Sequence, residues 1–257
     1  MKVFAALVFA LAAALSFVGY VGDSYDVVEI ISLEGEIDMQ TPVAMQFEIE
    51  KRVADNPHVK AVVLDVNSPG GGVYASQLLR DEINAITVPV VAYCNYMCAS
   101  GAVFAITAPS VNLIYASPAT MYGSVGVLRG VRRSDTPKDL KIFKSGKYKL
   151  AGNFTEKEKG EDEYLQQSVN DLAELFYSYV EQNARANGRT ISKEDWVHIK
   201  NAEIFNGSKA AKMGMIDGAV YRDFAISEAK RLGGGKVFTR EELVKHPVRS
   251  FVTRFFK

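Results

Sequence analysis

The chain has 257 residues, enough for one large domain or two small ones with a substantial buried core. Hydrophobic residues make up 48% and charged residues 23% of the sequence, which is the composition of an ordinary globular protein. Thirty basic residues balance thirty acidic ones, so the net charge gives no indication of a nucleic-acid partner.

The chain begins with an uncharged run, residues 3–22, that follows Lys2. A helix of this length spans about 30 Å, the thickness of the hydrocarbon core of a bilayer. Because Lys2 precedes the run and acidic residues follow it, the positive-inside rule places the remainder of the chain outside the cytoplasm. We expect residues 1–24 to anchor the protein in the cell inner membrane as a single-pass segment. Small residues at 12–16 leave a cleavable signal peptide as the alternative.

Strands and helices alternate along the remainder of the chain. Residues 59–66 form a continuous apolar run, typical of a strand buried on both faces of a parallel sheet. The alternation predicts an α/β layered domain with a mainly parallel sheet over residues 25–235, followed by a basic and aromatic tail, 236–257. The predicted strands are 25–35, 59–66, 89–94, 111–117 and 123–128, and the predicted helices are 41–55, 73–86, one beginning near Ser100, and a long region at 155–187.

A glycine-rich stretch, NSPGGG at residues 67–72, lies between a predicted strand and a predicted helix. Glycines permit backbone conformations that are closed to other residues, and they can leave N–H groups pointing at a ligand. No Gly-Lys-Ser/Thr follows, so the stretch is not a phosphate-binding loop. Taken alone, the pattern is explained equally well by a strand-to-helix turn.

One serine, Ser100, lies between Ala99 and Gly101 in an otherwise apolar, small-residue stretch. A buried hydroxyl without a partner costs about 1–3 kcal/mol, so this side chain either bonds to nearby backbone or is reserved for chemistry. At a strand-to-helix turn a serine nucleophile would be exposed at the sheet edge, where the helix N-terminus favours an oxyanion. The first glycine of a G-x-S-x-G motif is, however, replaced by Cys98.

Neither the cysteines nor the histidines are good candidates for a catalytic partner of such a serine. Cys94 and Cys98 are the only cysteines, and we interpret them as small buried thiols, since two residues make neither a disulfide framework nor a zinc site. The three histidines lie before a predicted strand, in a predicted surface helix and in the tail, so a histidine-based triad has no support. These residues are His58, His198 and His246.

Lysine is the remaining candidate for the base that a serine nucleophile needs. A lysine base must be neutral, which requires its pKa to fall from about 10.4 towards 7–8 through desolvation. A strand-like segment carries Lys144, Lys147 and Lys149, and the last of these lies between Tyr148 and Leu150, the most apolar neighbourhood of the three. Taken alone, the segment is also explained by a solvated basic loop.

The chain resembles the signal peptide peptidase A family in four motifs that occur in the family's order: VVLDVNSPGGGVYAS, ASGAVFAITA, ASPATMYGSVGVL and FKSGKYKLAGNFTEKEK. The later FNGSKAAKMGMIDG is similar to a further segment of that family, and the resemblance covers about residues 26–220. It implies a Clp protease/crotonase-like fold and a Ser–Lys serine peptidase that uses no metal or organic cofactor.

The resemblance also implies roles for individual residues. Ser100 matches the nucleophile, and Lys149 matches the general base. The amides of Gly71 and Gly101, with Gly70 in support, match the oxyanion hole. Relatives with one copy of the domain form homo-oligomers in which the serine and the lysine meet across a subunit interface, and their substrates are hydrophobic peptides.

The sequence departs from the family pattern beside the nucleophile and the base. Ala102, Val103 and Phe104 stand where the family commonly has Gly-Tyr-Tyr, Tyr122 replaces a threonine, and Leu150 replaces a small or acidic residue. We expect these changes to alter the shape of the substrate pocket more than the chemistry.

Several functions are compatible with these observations. The main hypothesis is a membrane-associated endopeptidase that hydrolyses remnant signal peptides or other hydrophobic peptides through an acyl-enzyme. A processing protease for a specific membrane or viral protein is an alternative, and so is a catalytically inactive oligomeric membrane scaffold. A crotonase-type acyl-CoA enzyme would not need the pair formed by Ser100 and Lys149.

Overall fold

The computed structural model describes residues 25–245, with side chains through Leu243. The predicted anchor at 1–24 and residues 246–257 of the predicted tail lie outside the described residues. Within the described part of the chain, no helix combines the length and the apolar character needed to cross a membrane.

The centre of the structure is one eight-stranded sheet. In chain order the strands are β1 (Val27–Ile37), β2 (Val59–Gly71), β3 (Val90–Ala99), β4 (Val111–Ala116), β5 (Met121–Gly123), β6 (Ile204–Asn206), β7 (Gly218–Ala219) and β8 (Phe238–Thr239). The spatial order is β6-β5-β3-β2-β1-β8, with β4 paired to β3 and β7 paired to β4. Every pair is parallel except β5 with β6, which confirms the predicted mainly parallel α/β architecture.

The described residues also form eight α-helices. They are α1 (Gln40–Ile49), which continues as a π-helical stretch at Glu50–Ala54, α2 (Val73–Asn84), α3 (Gly101–Ala105), α4 (Glu161–Ala186), α5 (Lys193–Lys200), α6 (Gly207–Lys212), α7 (Arg222–Leu232) and α8 (Arg240–Lys245).

The core lies on both faces of β2, as the continuous apolar run predicts. Val62 and Leu64 belong to a large apolar cluster that includes residues of α1 to α4, whereas Val63 belongs to a smaller cluster that contains Ala225 and Ala229 of α7. Successive side chains of a strand point to opposite faces, so an unbroken apolar run fits a strand covered by helices on both sides.

One predicted turn and one predicted strand differ from the structure. Residues 67–71 continue β2 instead of forming a turn, because this stretch still pairs with β1, ending with Ile37 opposite Gly71. The strand predicted at 123–128 lies instead at Met121–Gly123 and shares only Gly123 with the prediction, because Ser124 has a φ of 49°, which is incompatible with extended backbone.

The boundaries of the last elements also differ from the prediction. The long helix begins at Glu161 after Gly160, and not at Thr155, because Gly160 has a left-handed backbone conformation with a φ of 78°. At the C-terminal side, Phe238–Thr239 pair with β1. The fold therefore continues past the predicted domain boundary at residue 235, and the first part of the predicted tail belongs to the sheet.

We expect Leu64→Ala to lower the free energy of unfolding by about 2–5 kcal/mol, because it leaves a cavity in the centre of β2. Leu64 is 1% exposed, whereas Leu128 is 89% exposed, so Leu128→Ala is the matched control and should change stability by less than about 0.5 kcal/mol. Urea unfolding of both variants measures the difference. Equal effects would contradict the placement of Leu64 in the core.

Candidate active site

Ser100 lies in the turn between β3 and α3, where the sequence predicts a strand-to-helix junction. Its φ of 51° and ψ of −123° are unusual for a residue with a side chain and cost about 1–3 kcal/mol. Two hydrogen bonds hold this conformation: the Ser100 N–H donates to the Gly123 carbonyl at 2.9 Å, and the Ser100 carbonyl accepts from the Phe104 N–H at 3.1 Å. The hydroxyl makes no hydrogen bond with any described residue, so it is available for chemistry.

The end of β2 brings a second backbone stretch against this turn. The Gly72 N–H donates to the Ile37 carbonyl of β1 at 2.9 Å. A Cβ atom on Gly101 would lie 3.2 Å from the Gly71 nitrogen, so the Gly71 amide lies against the Ser100–Gly101 turn. The Gly101 N–H is among the first amides of α3, which have no partner within the helix. The two amides that are predicted as oxyanion donors therefore both lie beside the Ser100 turn.

Gly70 allows the backbone conformation of this arrangement, but its N–H is not a free donor. Its N–H donates to the Ser68 hydroxyl at 3.1 Å, and its φ is 90°. A Cβ atom on Gly70 would lie 2.5 Å from the Gly101 nitrogen, closer than any side chain allows. Glycine is thus required at this position for β2 to approach the Ser100 turn.

An apolar cavity of about 390 Å³ opens beside Ser100, between α2 and α4. Ser100 and the two amide-bearing glycines lie at one edge of it. Its wall is mostly apolar, which suits a large hydrophobic side chain. The apolar lining residues are Val73, Tyr74, Phe104, Val127, Leu172, Leu175 and Phe176.

A larger groove of about 860 Å³ also contains Ser100 and has a more polar wall. Two further strained residues line it: Ser124, with a φ of 49°, and Ala202, with a φ of 54°. The Ser124 N–H is held by the Glu203 carbonyl at 3.0 Å. Sequence reasoning missed Ser124 and Ala202, because strain at a non-glycine residue is not visible in the sequence.

The α4 residues of the apolar cavity were also not identified as site residues from the sequence. Leu172, Leu175 and Phe176 carry no motif, and the only available signal was their apolar helical spacing, which is shared by any amphipathic helix. Which part of such a face meets the site depends on tertiary packing.

The structure corrects the expected environment of Lys149. The segment around it is a series of turns and not a strand, and Lys149 is exposed instead of sheltered. Lys144 pairs with Glu158, and Lys147 lies 5.0 Å from the centre of the Tyr148 ring. The side chain of Lys149 has no hydrogen bond or ion pair with any described residue, and it lines neither cavity that contains Ser100. Within the described chain, Lys149 therefore lies outside both cavities that Ser100 lines.

The described histidines lie outside both cavities that contain Ser100. His58 lies 3.4 Å from Asp26 at the opposite end of the sheet, and His198 contacts Glu203 at 2.8 Å on α5. His246 lies outside the described residues. Neither described histidine lines a cavity that contains Ser100.

The two cysteines are buried, free thiols, as expected. They lie on β3 and not on a helix, on either side of an irregularity in the pairing of β3 with β2. Burial, with a further contribution from Cys98, raises the pKa of the Cys94 thiol. Because the thiolate is the reactive form, this environment makes Cys94 a poor nucleophile.

Residues 82–235, more than half of the chain, match the sequence model of Peptidase family S49. The chain belongs to peptidase family S49. This match confirms the predicted family and its serine peptidase class, and the matched region contains Ser100, Gly101 and Lys149.

The relatives of this chain include two proteins whose names describe them as peptidases. The chain is 33% identical over 68% of its length to a Methanocaldococcus jannaschii protein named as a protease, MJ0651, and spans 56% of that protein. It is 28% identical over 70% of its length to an Enterococcus faecium protein named as a signal peptide peptidase, SppA, and spans 53% of it. The chain thus spans about half the length of these relatives.

Solved structures of the 1510-N membrane-bound stomatin-specific protease share the fold. A serine-to-alanine mutant of that protease superimposes with a TM-score of 0.52 and 16% identity, covering 80% of this chain and 85% of the other. A lysine-to-alanine mutant in complex with a substrate peptide gives a TM-score of 0.52 and 18% identity, covering 80% of both chains. At this level of identity, the comparison shows a shared fold and nothing about function.

The three consecutive glycines at the end of β2 should differ in their tolerance of alanine. A Cβ atom on Gly70 would lie 2.5 Å from the Gly101 nitrogen and one on Gly71 would lie 2.0 Å from the Ile37 carbonyl oxygen, whereas a Cβ on Gly72 meets nothing closer than 3.8 Å. We expect Gly70→Ala and Gly71→Ala to cost at least about 1–3 kcal/mol of stability and to reduce labelling of Ser100 by a fluorophosphonate.

Gly72→Ala is the matched control for these two variants. We expect it to change the free energy of unfolding by less than about 1 kcal/mol and to leave labelling of Ser100 unchanged. Equal loss of labelling in all three variants would contradict the close backbone approach.

Proposed function

We propose that this chain is a membrane-associated serine endopeptidase in which Ser100 is the nucleophile and Lys149 is the general base. The observation that carries the proposal is the geometry of Ser100. Its strained backbone presents an unbonded hydroxyl at an apolar cavity, and the amides of Gly71 and Gly101 lie beside it. A strained residue beside converging donors is typical of a catalytic centre.

The proposed reaction proceeds through an acyl-enzyme. The Ser100 oxygen forms a bond to the peptide carbonyl carbon as its proton passes to the neutral amine of Lys149. The N–H groups of Gly71 and Gly101 bind the resulting oxyanion, an interaction worth about 3–4 kcal/mol per donor. The peptide C–N bond then breaks as the leaving amine takes the proton, and a water molecule hydrolyses the ester with Lys149 again as base.

The apolar cavity supports hydrophobic peptides as substrates. Its volume of about 390 Å³ and its aliphatic and aromatic wall favour a large apolar side chain next to the cleaved bond. We propose remnant signal peptides or similar membrane-derived peptides as the substrate class. A processing protease for one membrane or viral protein would use the same site with a narrower choice of sequence.

A second copy of the chain would complete the site. Tyr148 stacks on Tyr164 of α4, and eight residues at 1.5 Å each place Leu172, at the apolar cavity, about 12 Å further along that helix. The segment of Lys149 is thus attached to α4 at a distance from the cavity that Ser100 lines. The side chain of Lys149 has no hydrogen bond or ion pair with any described residue. We propose that the Lys149 of one copy serves the Ser100 of another in a homo-oligomer.

An apolar stripe on α1 supports assembly between copies. Met39, just before α1, and Val43 and Phe47 within it recur every four residues and so lie on one helix face, and they are 54%, 63% and 58% exposed. Exposed apolar residues in such a contiguous row are typical of protein interfaces. The proposed partners are therefore a peptide substrate, other copies of the chain and, through residues 1–24, the cell inner membrane, with the domain on its extracytoplasmic side.

The proposal predicts which variants lose cleavage of a fluorogenic, signal-peptide-like hydrophobic peptide. Ser100→Ala should abolish cleavage, and Lys149→Ala should lower kcat by about 10²–10⁴-fold, because a general base contributes about that much. Lys144→Ala and Lys147→Ala are matched controls from the same segment and should retain most of the activity.

Labelling with a fluorophosphonate separates the enzyme from an inactive scaffold. A peptidase should form an adduct at Ser100 in the assembled wild-type protein. Absence of both the adduct and cleavage, in a correctly assembled protein, would favour the scaffold. Activity retained in Lys149→Ala but lost in Lys144→Ala or Lys147→Ala would reassign the base.

A further inference from the structure

We propose that Glu161, together with Arg133, is a positioning residue that fixes the segment carrying Lys149 against the first turn of α4. This inference rests on the proposed role of Lys149 as the base. It assigns a function to a buried ion pair that lies outside both cavities around Ser100.

Glu161 is the first residue of α4, and its carboxylate is directed at the Lys149 segment. The residue is only 4% exposed. One carboxylate oxygen accepts the Gly152 N–H at 2.9 Å and also contacts Arg133, and the other accepts the Glu158 N–H at 3.2 Å. Gly152 lies three residues after Lys149, so this carboxylate holds the C-terminal side of the lysine segment.

Arg133 ties a second part of the same loop to this carboxylate. Its guanidinium also donates to the Phe154 carbonyl at 3.0 Å and to Asp162 at 2.9 Å. A neighbouring ladder joins Ser134 to the same segment: the Ser134 N–H donates to the Asn153 carbonyl at 3.2 Å, and the Ser134 carbonyl accepts from Thr155 at 2.9 Å. The ion pair is therefore the centre of a network that leaves little freedom to residues 152–155.

The N-terminal side of Lys149 is held by stacking. The ring of Tyr148 lies 4.5 Å from that of Tyr164, with an angle of 8° between their planes, and its hydroxyl donates to the Lys159 carbonyl at 3.3 Å. The backbone on both sides of Lys149 is thus attached to α4, whereas its own side chain has no partner among the described residues. A fixed backbone with a free amine is the arrangement that a base acting on another copy requires.

The charge on Glu161 persists under ordinary conditions. Hydrogen bonding from Gly152, followed by that from Arg133, lowers the pKa of Glu161 from 4.5 to about 2. Because the pKa is lower in the folded state, the interaction stabilises the folded state above about pH 4.5 and is lost only as the pH falls towards 2. The attachment is therefore intact wherever a lysine could act as a base.

The test compares Glu161→Ala with Glu163→Ala, an exposed glutamate in the same helical turn, using the full-length assembled protein and the fluorogenic hydrophobic peptide. We expect Glu161→Ala to lower kcat by about 10–100-fold, the effect of a small misplacement of a catalytic group, with KM unchanged because the substrate cavity is built from other residues. Glu161→Gln keeps one acceptor for Gly152 and should recover part of kcat.

A double-mutant cycle distinguishes positioning from general stability. In a Lys149→Ala background, Glu161→Ala should cause no further loss of the residual rate, because the group that it positions is already absent. Arg133→Gln, in the loop, provides the same test if Glu161→Ala does not fold, and sedimentation of each variant establishes that assembly is retained.

Two results would overturn the proposal, and they differ in what else they affect. If Lys149→Ala loses activity but Glu161→Ala and Arg133→Gln match Glu163→Ala, or if their losses add fully to that of Lys149→Ala, the positioning role is wrong and the proposed function stands. If Lys149→Ala keeps wild-type activity, both the positioning role and the proposed base are wrong.

Discussion

The candidate site depends on the close approach of two stretches of backbone, the end of β2 at Gly70–Gly71 and the turn at Ser100–Gly101. No side chain fits between them, since a Cβ atom on Gly70 would lie 2.5 Å from the Gly101 nitrogen. The approach lets β2 pair with β1 through Gly71 while the Gly71 amide lies against the Ser100–Gly101 turn. The absence of side chains at these positions therefore allows both the continuity of the sheet and the approach of the two amides to Ser100.

One helix, α4, connects the remaining parts of the site. Its middle supplies Leu172 and Phe176 to the apolar cavity, and its first turns hold the segment of Lys149 through Glu161 and Tyr164. The helix between these regions places the attachment of the Lys149 segment at Tyr164 about 12 Å from Leu172 of the apolar cavity. The same helix thus lines the apolar cavity and holds the segment of the proposed base outside it, and the proposed assembly of copies would bring the two together.

The mainly parallel fold and the strand-to-helix turn at Ser100 could be predicted from the sequence because their signals are local. The apolar run at 59–66 predicts a buried strand regardless of its neighbours, and Ser100 is set among small residues that a substrate-facing turn needs. The glycines of 67–72 were recognised as unusual, but their continuation of β2 depends on pairing with β1, which is a tertiary contact.

The exposure of Lys149 could not be predicted from the sequence, because adjacent residues do not determine how exposed a side chain is. Tyr148 and Leu150 suggested shelter, yet the Tyr148 ring packs on Tyr164, sixteen positions later in the chain, and leaves Lys149 exposed. The buried carboxylate of Glu161 was equally hidden, since an acidic residue at a helix start is ordinarily a solvated first-turn residue. Only the fold brings Gly152 and Arg133 to it.

The most direct test of the account is a mixing measurement with two inactive variants. Ser100→Ala and Lys149→Ala would be purified separately, dissociated, combined and reassembled, and cleavage of the hydrophobic peptide would be compared with that of each variant reassembled alone. If the lysine of one copy serves the serine of another, mixed assemblies contain intact pairs and cleavage returns. If the mixture stays inactive although exchange of subunits is demonstrated, the serine and the lysine do not meet across copies, and the central claim is contradicted.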